Sequence, residues 1–416
     1  MYSLLERLDR ANAELDYPAC GQEYPEKIEA RMPMNTASSY QMCTRTVMDT
    51  TDPEIWFDNS GVSSHALRYD REIAPVVDAA NAGRRSGELA RIVAEIQESG
   101  KGKPYDCVVG VSGGVDSSYL IYQAIKLGLR PLAVHFDSGW NSELADENVT
   151  SLIRTLGLDL YTDTVDSREM MDLQLSFFKA SVPNCDIPTD HAFPAVAFEQ
   201  ASKYKIKYIL SGHNFASESI LPKAWGYNAA DARHVKGIQR RFGTMSLKNY
   251  PTMGLFKRHG WYETIMGIKS VRLLNYMPYH YDDAKQTITE ELGWQDYGGK
   301  HYESIFTRYF QGHYLPHKFG FDKRKAHYSS LILSGQMTRD EALTQLALPP
   351  YDESLRAQDH AFIAGKLGIS VSEFESILSR PPMDHLSYPN EKWLWDLALK
   401  ATRGRRKAAV QAPTST

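Results

Sequence analysis

Cysteine is scarce in this 416-residue chain: there are four, at 20, 43, 107 and 185, with no Cys-x-x-Cys pair. That excludes a dense disulfide framework and points to a reducing compartment. Long apolar runs are missing as well. No stretch approaches the roughly 18 residues of a membrane-spanning helix, and MYSLLERLDRANAELDY at the start is charged from Glu6 onward, with no apolar core of signal length. The expected location is the cytoplasm. Charge of one sign is also lacking, with 47 Lys and Arg against 51 Asp and Glu for a net charge of −4. So even a balance excludes chain-wide recruitment of nucleic acid or an anionic membrane, though a local basic patch could still act. No internal repeat is visible. The 42% apolar and 24% charged residues make an ordinary globular composition, long enough for two or three domains.

Along the chain, residues 1–40 read as an added arm, with Leu4, Leu5, Leu8 and Leu15 near helical spacing. Residues 41–75 alternate turn formers (Thr50, Asp52, Pro53, Asp58, Asn59, Ser60, Gly61) with short β-type runs such as Ile55-Trp56-Phe57, and predict a small β-rich module. Leu89, Ile92, Val93 and Ile96 share one face of a helix over 84–99. Strand and helix patterns then alternate: strand Cys107–Val111, helix Asp116–Leu127, strand Leu132–Phe136, helix Glu143–Leu156, strand Leu160–Val165 and strand Lys207–Leu210. This order predicts a doubly wound α/β core with a parallel sheet, over 84–225. Residues 226–400 read as a helical, substrate-binding part, with helices at Thr287–Leu292 and Asp340–Leu346, and 401–416 as a disordered tail. In such sheets ligands bind beyond the carboxyl ends of the strands, which directs attention to the loops after Val111, Phe136 and Leu210.

The first of these loops is the sharpest feature: Ser112, Gly113, Gly114, Val115, Asp116, Ser117 and Ser118, directly between a strand and a helix. Two glycines let the backbone approach an anion closely. The hydroxyls of Ser112, Ser117 and Ser118 are donors, and the following helix directs its amides and positive dipole end at the same point. Asp116 would repel a bare phosphate, so its role is a Mg²⁺ ion or the turn itself. The string is neither a P-loop nor a dinucleotide fingerprint.

SGGVDSS resembles the pyrophosphate-binding loop of the N-type ATP pyrophosphatases (the PP-loop superfamily). The resemblance implies that ATP is cleaved between its α and β phosphates, with the loop holding the departing pyrophosphate. It extends to His135-Phe136-Asp137-Ser138-Gly139-Trp140, where adenine and ribose would sit, with His135 and Asp137 as candidates. A third nucleotide contact falls at Ser211-Gly212-His213-Asn214, with Gly212 and His213 as candidates.

Within that superfamily the chain is similar to the N-acetyl sugar amidotransferases of bacterial surface-polysaccharide and nonulosonic-acid pathways. The matching strings include CTRTVMDTTDPEIWFDNSGVSSHA (43–66), HFDSGWNSELA (135–145), IPTDHA (187–192), SGHNFASESILP (211–222), GWQDYGGKHYES (293–304) and KFGFDKRKAHYSSLILSGQMTRDEAL (318–343). The resemblance implies ATP and Mg²⁺ as cofactors and a nucleotide-activated N-acetyl sugar as acceptor. An acetamido group would be adenylated on oxygen and converted by ammonia to an acetamidino group. The ammonia would come from a glutaminase and a channel-forming barrel, both similar to the histidine-pathway pair. No membrane or nucleic-acid partner is expected. One departure is large: relatives carry two Cys-x-x-Cys pairs in the N-terminal module, where this chain reads Cys43, Thr46, Ser63 and Ala66. The module is therefore a degenerate zinc ribbon for which no zinc is expected.

Candidate substrate groups follow. Asp190 and His191 lie in a short loop after Pro188, where they could orient a sugar or shuttle a proton, or else cap a helix. Lys300, His301 and Glu303 follow Gly298-Gly299, and Lys285 follows Asp282-Asp283 near a strand end. Lys318, Lys323, Arg324, Lys325 and His327 form a basic run interleaved with aromatics, suited to phosphate. No catalytic base is singled out. Two other readings stand beside this one: a thiolase-like tRNA-modifying enzyme with Cys185 as nucleophile, and an inactive scaffold subunit of a glutaminase complex.

Overall fold

The structure, a computed structural model, describes residues 40–300 and 302–394. All of the expected arm except Tyr40, the tail 401–416 and His301 lie outside the described residues.

Five parallel strands form one sheet: β1 (Cys107–Gly110), β2 (Pro131–Asp137), β3 (Leu160–Thr164), β4 (Tyr208–Leu210) and β5 (Lys269–Val271), in the order β3-β2-β1-β4-β5. Val108 pairs with Leu132 on one side and Ile209 on the other. The inner strands are short apolar runs, as strands covered on both faces must be. Their side chains alternate between two cores. Val108, Leu132, Val134 and Phe136 face one, with Phe177, Phe178 and Phe198, while Cys107, Val109, Val111 and Ala133 face the other, with Leu120, Ile121 and Ile288. Edge strand β3 carries Thr162, Asp163 and Thr164 and is partly exposed along its length, which discourages further strand pairing.

The helices around the sheet are α1 (Ser86–Ser99), α2 (Val115–Lys126), α3 (Glu143–Leu156), α4 (Ser167–Ala180), α5 (Ile187–Lys203), α6 (Phe215–Glu218), α7 (Ala232–Phe242), α8 (Tyr281–Leu292), α9 (Lys323–Leu333) and α10 (Arg339–Leu346). Their ends follow local chemistry. Ser142 caps α3 by accepting the Ala145 N–H at 3.2 Å, and Gly157 closes it at φ 63°. Pro188 stands in the first turn of α5, where a missing N–H costs nothing.

Three expectations need correction. Strand β5 lies beyond residue 225, so the core continues past the boundary expected there. The module at 41–75 is not β-rich: it holds two isolated bridges, Met42 with Asp49 and Phe57 with Ser63, and then turns helical at Ser64–Arg68. Asx turns at Asp49, Asp52 and Asp58 take up its backbone donors in place of a ladder. Lys285 sits on α8 rather than near a strand end, and there it pairs with Asp296 at 2.5 Å.

Candidate active site

From β1 the chain winds outward to β2 and β3, then returns to β4 and β5 on the other side. The switch point therefore lies between β1 and β4, where ligands of open α/β sheets bind. Both loops at this point are glycine-dependent. Gly113 has φ +84°, and a Cβ there would stand 3.1 Å from the Ala145 carbonyl. Its own carbonyl accepts the Trp294 indole N–H at 2.8 Å. Gly212 leaves room for only a hydrogen, since a Cβ would lie 3.2 Å from the backbone of Asp116 and of Ser117. The loop after β4 thus rests on the first turn of α2. The Ser112 and Ser117 hydroxyls are 3.1 Å apart, and the Gly114 N–H points to Ser112 Oγ at 3.3 Å. Together they line a cleft of about 2150 Å³. Ser118 does not: it is buried at 1% exposure with its hydroxyl turned into the protein, so it is no phosphate donor. Val115 is buried at the start of α2, and Gly113 serves by its shape.

A charged network stands over this loop. Asp116 Oδ1 accepts from Asn214 Nδ2 at 2.9 Å and from the Tyr279 hydroxyl. Lys300 Nζ lies 3.7 Å from Asp116 Oδ2 and 2.9 Å from Glu218 Oε1. His213 Nδ1 is 2.7 Å from Glu218 Oε2. Burial opposes the Lys300 charge, but Glu218 and Asp116 outweigh it and raise its pKa. Burial, followed by the Asp116 charge, pushes the Tyr279 hydroxyl up, so it stays a donor. Three members of the network, Asn214, Glu218 and Tyr279, are not among the expected site residues. Asn214 and Glu218 lie in the same string as Gly212 and His213, so the signal for them was present. Tyr279 carries no local signal.

His135 is buried and uses both ring nitrogens. Nδ1 donates to the Val111 carbonyl at 2.7 Å, and Nε2 accepts from Asn141 Nδ2 at 3.1 Å. It ties β2 to the start of the glycine loop from the cleft wall. Asp137 instead accepts the Gly139 N–H at 2.8 Å in a turn and does not line the cleft, which corrects its assignment to the nucleotide.

The substrate candidates divide. Asp190 and His191 are in the first turns of α5, not in a loop, and residue 186 holds the cap position. His191 is structural: Nδ1 donates to the Ala229 carbonyl at 2.6 Å and Nε2 accepts the Met253 N–H at 3.1 Å, while burial lowers its pKa. Asp190 opens on the cleft, yet protein surrounds it. That enclosure, with the Asp186 charge beside it, pushes its pKa well above the carboxylate range. Helix α5 brings Asp190 near the loop, since the Phe193 ring lies where a Cβ of Gly110, the last residue of β1, would be. Asp190 precedes Phe193 by one helical turn. Glu303 also lines the cleft, with Oε1 3.5 Å from the place of a Cβ at Gly114.

Most of the basic run is consumed in holding the fold. Lys318 Nζ donates to the carbonyls of Leu378 and Arg380 at 2.7 and 2.8 Å. Burial brings its pKa down to about 8. Arg324 is paired with Asp322 at 2.8 Å, and Lys325 with Asp49. The His327 ring meets the Ser217 carbonyl at 3.1 Å. Lys318 and Lys325 do not reach the cleft, whereas Lys323, Arg324 and His327 line it.

Cys43, Thr46, Ser63 and Ala66 do converge. Cys43 Sγ accepts the N–H groups of Thr46 at 3.4 Å and Ser63 at 3.2 Å, and the Ala66 N–H points to Ser63 Oγ at 3.4 Å. The module is anchored on α9 and α10 by Lys325, by the Val47 N–H on Ser329 Oγ at 3.2 Å, and by Arg339 on the Thr46 carbonyl at 3.1 Å. Among the described residues no group of three or more His, Cys, Asp or Glu is arranged to hold a metal ion. Cys185 is fully buried, with Sγ against the Val182 carbonyl at 3.5 Å, and burial pushes its thiol up to about 12. Buried and protonated in this way, it is not presented to the cleft as a thiolate.

A parallel sheet with Ser-Gly-Gly-Val-Asp-Ser-Ser at its switch point defines a doubly wound α/β protein whose glycine loop resembles that of the PP-loop proteins. Residues 303–402 match the family described as "LPS biosynthesis protein WbpG-like, C-terminal domain", so that segment is similar to this family. No curated protein matches. Among solved structures, NMN synthetase from Francisella tularensis is similar over 52% of this chain and 87% of its own, at 16% identity and a TM-score of 0.27. Among the described residues no helix is long and apolar enough to cross a membrane.

Proposed function

We propose that the protein is an ATP-dependent, AMP-forming amidotransferase acting on a nucleotide-activated N-acetyl sugar. The observation that carries this reading is the glycine loop at the switch point, with Lys300 held between the loop's Asp116 and Glu218 beside a cleft of about 2150 Å³. The WbpG-like segment supports a surface-polysaccharide substrate. In this reading Ser112, Gly114 and Ser117 donate to the departing pyrophosphate, where charge develops. The amide oxygen attacks the α-phosphorus as the bond to pyrophosphate breaks. Ammonia then adds to the imidate carbon, gives up a proton and expels AMP, which leaves an amidinium. The ammonia would be supplied by a glutaminase and a barrel-type partner.

The donor set suits Mg²⁺. Asp116 and Glu218 share one ammonium here, and a hard divalent ion needs only one or two carboxylates beside the phosphates. When bound, it would neutralise charge on the phosphate oxygens. Lys300 would be released toward the phosphates.

The test is incubation with ATP, Mg²⁺, ammonium and UDP-linked N-acetyl sugars, with unmodified tRNA in parallel. AMP together with a sugar one mass unit lighter, oxygen exchanged for NH, is the expected result. ADP in place of AMP, or AMP formed only with tRNA, would overturn the reading.

A further inference from the structure

The helical segment Phe256–Ile265 buries only one side. His259 and Tyr262 face inward, and the Tyr262 ring stacks on Phe198 at 5.4 Å. Phe256, Trp261 and Ile265 face outward at 69%, 51% and 67% exposure. Their spacing of five and four residues suits the wide turn of a π-helix and aligns them in one row. Such a row on a protein surface calls for a partner.

Helix α7 supplies the charge beside it. Arg233, Lys236 and Arg240 recur at i, i+3 and i+7, with Arg241 adjacent, and all four are exposed. No carboxylate among the described residues comes within ion-pair distance of them. The nearby acids are engaged or withdrawn. Glu263 pairs with Arg258 at 3.1 Å and His259 at 2.5 Å, and Glu391 is half-buried. The two segments come close at their starts: a Cβ on Gly254, two residues before Phe256, would lie 3.5 Å from the Cβ of Ala232, the first residue of α7. The Glu391 carboxylate lies against the Leu255 backbone while feeling both Arg233 and Lys236. Trp393, close by in the chain, is 56% exposed. A row of Phe, Trp and Ile bordered by exposed arginine and lysine is the composition of a surface that lies in a membrane interface. Protein interfaces are poor in lysine at their centres, and an aliphatic side chain such as Ile265 offers nothing to stack on a nucleobase.

We propose that this face docks the protein on an anionic phospholipid surface. The even chain-wide charge does not reveal it. The docking is reversible, resting on shallow insertion and charge.

The test is sedimentation of the full chain, without ATP, with phosphatidylcholine vesicles and with vesicles also containing phosphatidylglycerol. Binding is expected only to the anionic vesicles and is weakened by salt. The combined variant Phe256→Ser, Trp261→Ser and Ile265→Ser should bind about tenfold more weakly. Arg233→Gln with Arg240→Gln should lose most of the salt dependence, and both variants should melt like the parent. Equal binding to both vesicle types, no binding, or a serine variant that binds like the parent would overturn the proposal. So would a dimer in sedimentation equilibrium that the serine variant abolishes while vesicles remain unbound. None of these results depends on the proposed reaction.

Discussion

Lys300 Nζ lies 2.9 Å from Glu218 Oε1, although the two residues are 82 positions apart in sequence and reach the cleft from different elements. The lysine side chain is 15% exposed and the glutamate side chain 23%, and the ammonium nitrogen itself is buried. The pair closes the cleft over the glycine loop, with Asp116 as its second anchor. A cation held between two carboxylates is ready to exchange them for a ligand that brings its own charges.

Lys300→Met should therefore act on both stability and turnover. Removing the ammonium takes away the cation held between Glu218 and Asp116, at a cost of about 3 kcal/mol. If the proposed reaction holds, loss of this cation from beside the glycine loop should lower kcat by roughly 10²–10³-fold. Urea unfolding and AMP formation measure the two effects. Unchanged AMP formation would show that Lys300 serves the fold alone.

Asp190→Asn should change how stability depends on pH. The folded pKa of Asp190 is raised, first by burial and then by Asp186. Between the unfolded value near 4 and the folded value, the native state binds more protons than the unfolded state. Stability is thus lost as pH rises through that window. The variant carries no charge, so relative to the parent it should gain stability at pH 8 and little at pH 4. The gain is modest because the carboxylate opens on water in the cleft. Urea midpoints at the two pH values decide it, and an equal difference at both would refute the argument.

The parallel core was legible because buried strands leave short apolar runs and glycine loops leave unambiguous strings. Val108 and Val134 announce their environment by composition alone. Strand β5 was missed because Lys269-Ser270-Val271 is only three residues long and has one apolar side chain. Helix α5 was obscured by Pro188 and Pro194: the first costs nothing at a helix start, and the second is overridden by packing. The basic run misled because sequence shows charge but not its partner. Asp49, Asp322 and the carbonyls at 378 and 380 lie too far along the chain, or too close to look like partners, to be read as such. Tyr279 reaches Asp116 across 163 residues, a contact that only the tertiary fold creates.

Lys325→Met separates a structural role from a ligand role. Asp49 is fully buried, and although burial alone would raise its pKa, Lys325 and Thr51 hold it below the ordinary value. Such a group contributes stability above its unfolded pKa, and that contribution is lost as pH falls through the folded one. The variant should cost about 3–5 kcal/mol at neutral pH and should lose less stability than the parent on acidification. KM for ATP and for the sugar nucleotide should not move in protein that remains folded. A raised KM with parental stability would instead make Lys325 a phosphate ligand.

Cys185→Ala distinguishes sugar chemistry from sulfur transfer most directly. The thiol has no path to the cleft: it sits in the core beside Phe177 and Val182, and Gln174 Nε2 binds its carbonyl at 2.7 Å. Removing the sulfur leaves a small cavity and two carbonyls without a weak donor, for a loss of about 1 kcal/mol. The glycine loop does not touch this site, so AMP formation with a sugar acceptor should be unchanged within a factor of two or so, the scale of an ordinary surface change. A thiolase that used Cys185 would lose all product at once; the other described cysteines, Cys43 and Cys107, are buried as well. Mass analysis of the acceptor with parent and variant side by side gives the answer. Sulfur incorporation by the parent that vanishes in the variant would require the core around α4 and α5 to open during turnover.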